Sequence, residues 1–146
     1  MIRRATEADM TRLVEMGLQF IRESHYRKLM RENPAQIEAF IKNALANEKA
    51  RILVAEVSGR LVGMIGFWVF PHYFSADPMA VEIAWFVEPE HRGSRLSLRL
   101  LQSAEEEAAK IGAQHMQMIS PSVKTNGLYK KLGYTEVETT FQRRLQ

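Results

Sequence analysis

The chain has 146 residues, of which 46% are hydrophobic and 25% are charged, a balance typical of one globular domain. It contains no cysteine, which excludes disulfides, thiolate metal sites and cysteine nucleophiles. The net charge of +3 is carried by scattered basic residues and no apolar run reaches membrane-spanning length, so we expect a cytoplasmic protein with no nucleic-acid or membrane partner.

The N-terminal part of the chain predicts a strand followed by two helices. Residues 2–5 form a short apolar and basic strand candidate, and Thr6–Asp9 predicts a capping box at the start of a helix over 7–24. Asn33-Pro34 places a capping residue before a proline, which predicts the start of a second helix that ends near Asn47.

The middle of the chain predicts an antiparallel hairpin and a third strand. Arg51–Val57 and Leu61–Phe70 are rich in β-forming residues, and Ser58-Gly59 between them is a tight-turn signal. An aromatic loop over 71–78 leads into the strand Val81–Val87.

Strict alternation along that third strand places Glu82 on the same face as Ala84 and Phe86.

The remaining sequence alternates between helix and strand. The predicted elements are a helix over Arg95–Ile111, a strand over Gln114–Ile119, a short helix from Ser122 or Thr125 to Leu132, and strands over Tyr134–Glu138 and Thr139–Leu145. The strand–helix–strand segment across 81–119 predicts a parallel crossover, whereas the hairpin predicts antiparallel pairs. We therefore predict an α/β or α+β fold with a mixed sheet and helices on both faces.

The segment Val87–Ser97 joins the end of a strand, a glycine-containing turn and the start of a helix. Main-chain N–H groups at a helix start have no partner within the helix, and the helix dipole adds positive charge there. Arg92 and Arg95 add full charges, so the segment predicts a phosphate site. Taken alone, the segment is equally consistent with an ordinary strand–turn–helix connection with exposed arginines.

This segment resembles the acetyl-CoA signature of the GNAT superfamily of N-acetyltransferases, in which a valine-x-proline often precedes (Arg/Gln)-x-x-Gly-x-(Gly/Ala). Val87, Pro89 and the Arg92-Gly93 pair match the signature. Arg95 and Ser97 stand where the family usually has glycine and glycine or alanine. A Cβ at position 95 limits how closely a pyrophosphate approaches the main chain, although the Arg95 guanidinium offers charge in compensation.

A second segment, Asn126–Tyr134, resembles in shortened form the family's asparagine, tyrosine and glycine-aromatic region downstream. The resemblance implies one acetyltransferase domain over residues 1–146, with a mostly antiparallel mixed sheet and acetyl-CoA as co-substrate. It implies direct transfer of the acetyl group to a primary amine of a small molecule or peptide, and it leaves a homodimer open. The alternative is a catalytically weak or inactive CoA-binding regulatory domain of the same fold.

The resemblance also implies roles for individual residues. Glu82 is the expected general base, acting through water, and Tyr129 the expected proton donor to the leaving thiolate. The alternatives are a strand glutamate facing solvent or an arginine, and an aromatic ring packed on the sheet. The implied cofactor-binding residues are Phe86, Val87, Arg92, Gly93, Ser94, Arg95, Leu96, Ser97, Asn126 and Tyr129, of which Asn126 could equally cap a helix.

The acceptor side is less marked in the sequence. Tyr26, His72, Tyr73 and Phe74 are candidate acceptor-binding residues, because aromatic loop residues shape amine pockets, and ordinary loop anchoring is the alternative. The four histidines lack metal-ligand spacing, so we expect no metal. Arg143-Arg144 is basic, but no helix-turn-helix with a basic recognition helix accompanies it.

Overall fold

Five strands form a single mixed sheet in which the order of strands across the sheet follows their order along the chain. The structure, a computed structural model, describes residues 1–146. The strands are β1 (Ile2–Arg4), β2 (Ala50–Val57), β3 (Arg60–Pro71), β4 (Pro78–Val87) and β5 (His115–Gln117). Neighbours from β1 to β4 pair antiparallel, and β4 pairs with β5 in parallel.

Four α-helices cover the two faces of this sheet. They are α1 (Met10–Glu23), α2 (Pro34–Ala46), α3 (Arg95–Lys110) and α4 (Val123–Lys131), with short 3-10 turns over Glu7–Asp9, His25–Lys28 and Pro89–His91. None of these helices is long and apolar enough to cross a bilayer. The predicted class, a mixed and mostly antiparallel sheet with helices on both faces, is confirmed.

At the starts of the first two helices, the structure contains the capping hydrogen bonds that the sequence predicts. The Asp9 carboxylate accepts a hydrogen bond from the Thr6 main-chain N–H at 2.8 Å. The Asn33 side chain accepts from the main-chain N–H of Gln36 at 3.1 Å, and Pro34 is the first residue of α2. Each side chain satisfies a donor that a helix start leaves open, which is why local sequence predicted these boundaries.

The β2–β3 hairpin closes with a two-residue turn. Ser58 and Gly59 both adopt positive φ, 49° and 77°, between the paired residues Val57 and Arg60. Two consecutive residues in this region match the right-handed twist of the flanking strands, as the predicted tight turn requires.

Two apolar clusters lie on opposite faces of the sheet. One cluster joins the sheet to α3 and α4 through buried residues such as Phe67, Leu100 and Tyr129. The other joins the sheet to α1 and α2 through residues such as Leu13 and Phe86. The sheet is therefore buried from both sides.

The predicted face of Glu82 is wrong because β4 contains a bulge. Glu82 pairs with Phe67 and Ala84 pairs with Gly66, so Ile83 is an extra residue that breaks the alternation. Glu82 therefore shares the face of Phe67, beneath α3 and α4, and lies opposite Phe86.

The two C-terminal strands predicted over 134–138 and 139–145 are also wrong. No residue after Lys131 belongs to a helix or strand, and the side chains of Val137, Phe141 and Leu145 are 72%, 91% and 81% exposed. A strand needs a neighbour to satisfy its main-chain groups, and alternation of residue types alone does not provide one.

The packing of α3 leads to a stability prediction with a control on the same helix. Leu100 is fully buried against the sheet, whereas Leu98 is 36% exposed. We expect Leu100→Ala to lower the free energy of unfolding by about 2–5 kcal/mol, because it leaves a cavity, and Leu98→Ala to lower it by less than about 1 kcal/mol. Urea unfolding followed by circular dichroism measures both, and equal losses would contradict the assigned packing.

Candidate active site

The parallel strands β4 and β5 pair over only three residues and then part. Met79–Val81 pairs with His115–Gln117, whereas β4 continues to Val87 with no strand on its β5 side. Glu82 is the first residue of β4 beyond the last pair. The opening between the strands therefore begins at Glu82, the residue predicted from sequence as the general base.

The Glu82 carboxyl lies inside this opening and is only 5% exposed. Its Oε2 accepts a hydrogen bond from the main-chain N–H of Ile119 at 2.9 Å, and it forms no ion pair. The structure therefore contradicts the alternative of a glutamate facing solvent or an arginine. Burial raises the pKa of Glu82 from 4.5 to about 7, while the main-chain N–H groups of Ile119 and Trp85 act in the opposite direction.

Tyr129 reaches the same peptide from α4. Its phenol donates to the carbonyl oxygen of Ile119 at 3.4 Å, and its ring packs against Trp85 and Tyr134 at centroid distances of 6.3 and 5.5 Å. Burial, with a further contribution from Glu82, raises the pKa of Tyr129 above its ordinary value, so the phenol keeps its proton. Catalytic role and aromatic packing are both compatible with this position.

Ile119 is therefore the point at which the two sequence-predicted catalytic residues meet. The Glu82 carboxyl accepts a hydrogen bond from the Ile119 N–H, and the Tyr129 phenol donates one to the Ile119 carbonyl oxygen. The three residues come from three different parts of the chain. The sequence predicts no role for Ile119 or Trp85, because neither side chain carries a recognisable catalytic group. The predicted strand over Gln114–Ile119 was the only signal near Ile119, and the observed strand ends at Gln117.

The β4–α3 loop (residues 88–94) ends in an open helix start. Gly93 adopts a φ of 68°, a left-handed conformation that favours glycine, and the Ser94 side chain caps α3 by accepting from the Leu96 N–H at 3.2 Å. The main-chain N–H groups of Gly93, Ser94 and Arg95 donate to no protein acceptor. These three donors, at the positive end of a 16-residue helix, form a site suited to an anion.

The two arginines of the predicted phosphate site differ in their surroundings. Arg95 is exposed, forms no ion pair and does not have a positive φ, so its side chain is accommodated without backbone strain. Arg92 Nε donates to the Val87 carbonyl oxygen at 2.7 Å, its Nη2 contacts Glu23 of α1 at 2.5 Å, and its guanidinium carbon lies 5.5 Å from the Phe86 ring centroid. Its side chain is thus bound on the α1 face of the sheet.

The remaining predicted cofactor residues lie around the opening. Phe86 and Val87 are buried at the end of β4, and Leu96 and Ser97 lie half-buried in the first turn of α3. Asn126 lies half-buried within α4, whose N-cap is Ser122, which removes the capping alternative for Asn126.

The candidate acceptor residues form one cluster and one separate residue. His72 stacks on Tyr73 at a centroid distance of 4.6 Å, and Tyr73 meets Phe74 edge-on at 4.5 Å. Tyr73 and Phe74 remain 73% and 84% exposed at the tip of the β3–β4 hairpin. Tyr26 lies in the 3-10 turn after α1 and is not part of this cluster.

One group of side chains has the composition of a metal site. Ligand atoms of Glu88, Glu90 and His91 lie within 4.8 Å of one another. Glu88, however, already contacts the guanidinium groups of Arg12 and Arg60, and these two positive charges oppose a cation at the same carboxylate.

Comparison with known proteins places the chain among acetyltransferases. A profile described as the Acetyltransferase (GNAT) family matches residues 10–134. The chain is 32% identical over 103 residues to the uncharacterized N-acetyltransferase YhfO of Bacillus subtilis (strain 168), covering 68% of each protein.

Two solved structures share the fold over nearly the whole chain. One is AAC(6')-Iy in complex with the bisubstrate analog CoA-S-monomethyl-acetylneamine, with a TM-score of 0.81, 16% identity and coverage of 100% of this chain and 97% of that chain. The other is the ribosomal-protein-alanine N-acetyltransferase from Brucella melitensis biovar Abortus 2308, with a TM-score of 0.73, 17% identity and 99% coverage of both chains.

The buried carboxyl of Glu82 predicts a pH-dependent difference in stability. Below about pH 4.5 the group is protonated in both folded and unfolded chains, whereas above about pH 7 the folded protein must bury a carboxylate. We expect the free energy of unfolding of the native protein to fall by roughly 3 kcal/mol relative to Glu82→Gln between about pH 4 and about pH 8.

Urea unfolding at a series of pH values measures this difference, with the exposed Glu38→Gln as the matched control. Because Glu38 loses no burial on unfolding, its variant should stay at a constant offset from the native protein. A constant offset for Glu82→Gln as well would contradict the burial of an ionisable group at this position.

Proposed function

Because the chain belongs to the Acetyltransferase (GNAT) family, we propose that it transfers the acetyl group of acetyl-CoA to a primary amine by direct attack of the amine. The observation that carries the proposal is the opening between β4 and β5, where Glu82 and Tyr129 meet at Ile119. A buried base and a buried proton donor at one opening suit a reaction in which one proton leaves the amine and another reaches the leaving thiolate.

The donor is supported by the start of α3. The open N–H groups of Gly93, Ser94 and Arg95 suit a pyrophosphate, and the Arg95 side chain is free to add charge. Leu96 and Ser97 follow in the first turn of α3, and Asn126 lies on α4 with Tyr129. Phe86 and Val87 end β4 beside the opening, and because the Phe86 side chain lies on the α1 face, its main chain is the part that meets the donor. The thioester of the bound donor supplies the activated acetyl group. CoA also forms part of the analogue bound to the AAC(6')-Iy structure, which has the same fold.

Glu82 takes the proton from the amine through a water molecule. A primary amine with a pKa of about 10.4 is almost fully protonated at neutral pH and must lose a proton before it attacks. Because burial raises the pKa of Glu82 to about 7, the carboxylate is present at neutral pH and is more basic than an exposed glutamate.

Tyr129 gives its proton to the CoA sulfur as the carbon–sulfur bond breaks. The phenol is kept protonated by burial and is held by the Ile119 carbonyl oxygen, so it remains a donor across the neutral range. The new amide bond, the proton received by Glu82 and the proton given by Tyr129 balance the reaction, and solvent restores both side chains.

The second candidate is a catalytically weak or inactive CoA-binding regulatory domain. Arg95, in place of the glycine typical of the family signature, favours it because its side chain brings bulk to the anion site. The absence of backbone strain at Arg95 and the buried pair Glu82 and Tyr129 favour the enzyme.

The acceptor is a small-molecule or peptide amine that meets the aromatic cluster at the hairpin tip. Tyr73 and Phe74 present exposed rings, which attract cationic groups, and the half-buried His72 packs against both. Tyr26 lies on the segment between α1 and α2 and contributes a further exposed ring.

We propose that the protein forms a homodimer in which the C-terminal segment 135–146 of each copy pairs with the edge of β5 in the other copy. Val137, Phe141 and Leu145 lie four residues apart, so an extended chain presents them on one side, and all three are exposed. The edge of β5 away from β4 has no neighbour. In a two-fold symmetric dimer, the segment of each copy can add to the free β5 edge of the other copy. This pairing would satisfy the main-chain hydrogen-bonding groups of both the segments and the edges.

Amine-dependent release of CoA thiol from acetyl-CoA tests the catalytic proposal. Tyr129→Phe keeps the ring and should lower turnover by about 10²-fold with little change in donor binding, while Tyr134→Phe, next to it, should stay near native activity. The loss in Glu82→Gln should shrink as pH rises toward the pKa of the amine, because the amine is then already neutral.

A panel of small amines and peptides identifies the acceptor in the same assay. Binding of CoA without thiol release for any amine would favour the regulatory domain. A loss in Glu82→Gln that is independent of pH would contradict its role as base.

Sedimentation velocity at micromolar concentration tests the dimer. We expect a dimer for the native chain and for Gln142→Asp, and a monomer for Phe141→Asp, because a charge at the apolar position opposes burial. A native chain that sediments as a monomer would contradict the dimer.

A further inference from the structure

Two ion pairs of opposite polarity connect α1 to the β4–α3 loop. In the first, Arg12 of α1 contacts the carboxylate of Glu88, at the start of the loop. In the second, Glu23 of α1 contacts Arg92, near the end of the loop, at 2.5 Å. The helix therefore supplies the cation of one pair and the anion of the other.

The spacing of these residues brings both pairs to one side of the helix. Arg12 and Glu23 are eleven positions apart, which is about three turns of an α-helix, so they project from the same face. Glu88 and Arg92 are four positions apart and flank the 3-10 turn Pro89–His91. A shift of α1 along its axis by one turn would separate both pairs.

The first pair is deeply placed at the end of β4. Glu88 is 5% exposed, its N–H donates to the Val62 carbonyl oxygen at 2.8 Å, and its carboxylate also accepts from Arg60 at 2.7 Å. Arg12 also donates to the Leu61 carbonyl oxygen at 3.1 Å, so one side chain of α1 holds both the loop and the start of β3. A buried carboxylate of this kind needs its cations, which fixes the start of the loop.

The second pair holds the other end of the loop and removes the Arg92 side chain from the open helix start. Arg92 is bound by Glu23, by the Val87 carbonyl oxygen and by the Phe86 ring, all on the α1 face. The open N–H groups of Gly93 to Arg95 lead instead into α3, which packs on the opposite face.

We propose that α1 positions the β4–α3 loop for the donor through these two pairs, so that Arg12 and Glu23 are positioning residues for CoA and Arg92 acts through the loop main chain. The proposal rests on the proposed use of CoA. Under this proposal α1, which leads into the segment that contains Tyr26, takes part in donor binding.

Isothermal titration with CoA tests the exposed pair, which can be changed without emptying the core. We expect Glu23→Gln and Arg92→Gln to weaken CoA binding by similar factors of about two to five, and the double variant to bind no more weakly than either single variant. Glu23→Lys should weaken binding by about five- to ten-fold, because it repels Arg92.

Three readouts separate positioning from a general loss of structure. Melting temperatures should stay within about 2 °C of the native protein, binding of pantetheine, which lacks the phosphates, should be unchanged, and the loss should fall on KM for acetyl-CoA rather than on kcat. The matched control is Glu32→Gln, which breaks the pair with Arg22 at the same end of α1 without touching the loop, and it should bind CoA normally.

Two results would overturn the proposal while leaving CoA binding intact. Tighter CoA binding by Glu23→Gln, with a much larger loss in Arg92→Gln, would show that the freed guanidinium binds phosphate directly. Unchanged affinity in every Glu23 variant would show that α1 does not position the loop. Failure of the native protein to bind CoA would instead remove the proposed function, and this inference with it.

Discussion

The hydrogen bond from the Ile119 N–H to the Glu82 carboxyl is the contact on which the site depends. It spans the opening between β4 and β5 at the first position where main-chain pairing stops. The main-chain N–H of Ile119 has no strand to pair with at this point, and the Glu82 side chain accepts its hydrogen bond instead. Burial at this position raises the pKa of Glu82 to about 7. The same carboxyl therefore closes the narrow end of the opening and has a pKa suited to proton transfer at neutral pH.

The bulge at Ile83 decides which face of the sheet carries this chemistry. Without the extra residue, Glu82 would point toward α1 and α2 with Phe86, away from Tyr129. With it, Glu82 and Tyr129 share the face covered by α3 and α4. The bulge thus brings a strand residue and a residue from α4 to the same peptide, and bulges commonly redirect a side chain in this way next to active sites.

On the face of the sheet that α1 covers, two ion pairs connect the helix to the β4–α3 loop. The pairs of Arg12 with Glu88 and Glu23 with Arg92 connect α1 to both ends of the β4–α3 loop, while the open N–H groups of that loop lie at the start of α3, which packs on the other face. In the proposed positioning role, side chains on one face of the sheet hold the loop whose main-chain N–H groups would bind the donor. The Arg92 side chain is therefore bound by Glu23 and the Val87 carbonyl oxygen, while the N–H groups that follow it in the chain have no protein acceptor.

The sequence by itself determined the elements that depend on neighbours along the chain. The contact between Thr6 and Asp9, the Asn33-Pro34 helix start and the Ser58-Gly59 turn all form, because each involves groups within three residues of one another. The same holds for the helix start after Gly93, and the order of these elements was enough to predict the fold class.

Only the tertiary structure decided the rest. The face of Glu82, its raised pKa, the partner of Arg92 and the free C-terminal segment all depend on residues distant in sequence, such as Ile119 and Glu23. Alternation in a strand predicts a face only while the register is unbroken, and it cannot reveal a bulge that pairing with β3 creates. A pKa or an ion pair likewise depends on which side chains and how much protein surround a group, and folding alone brings those together.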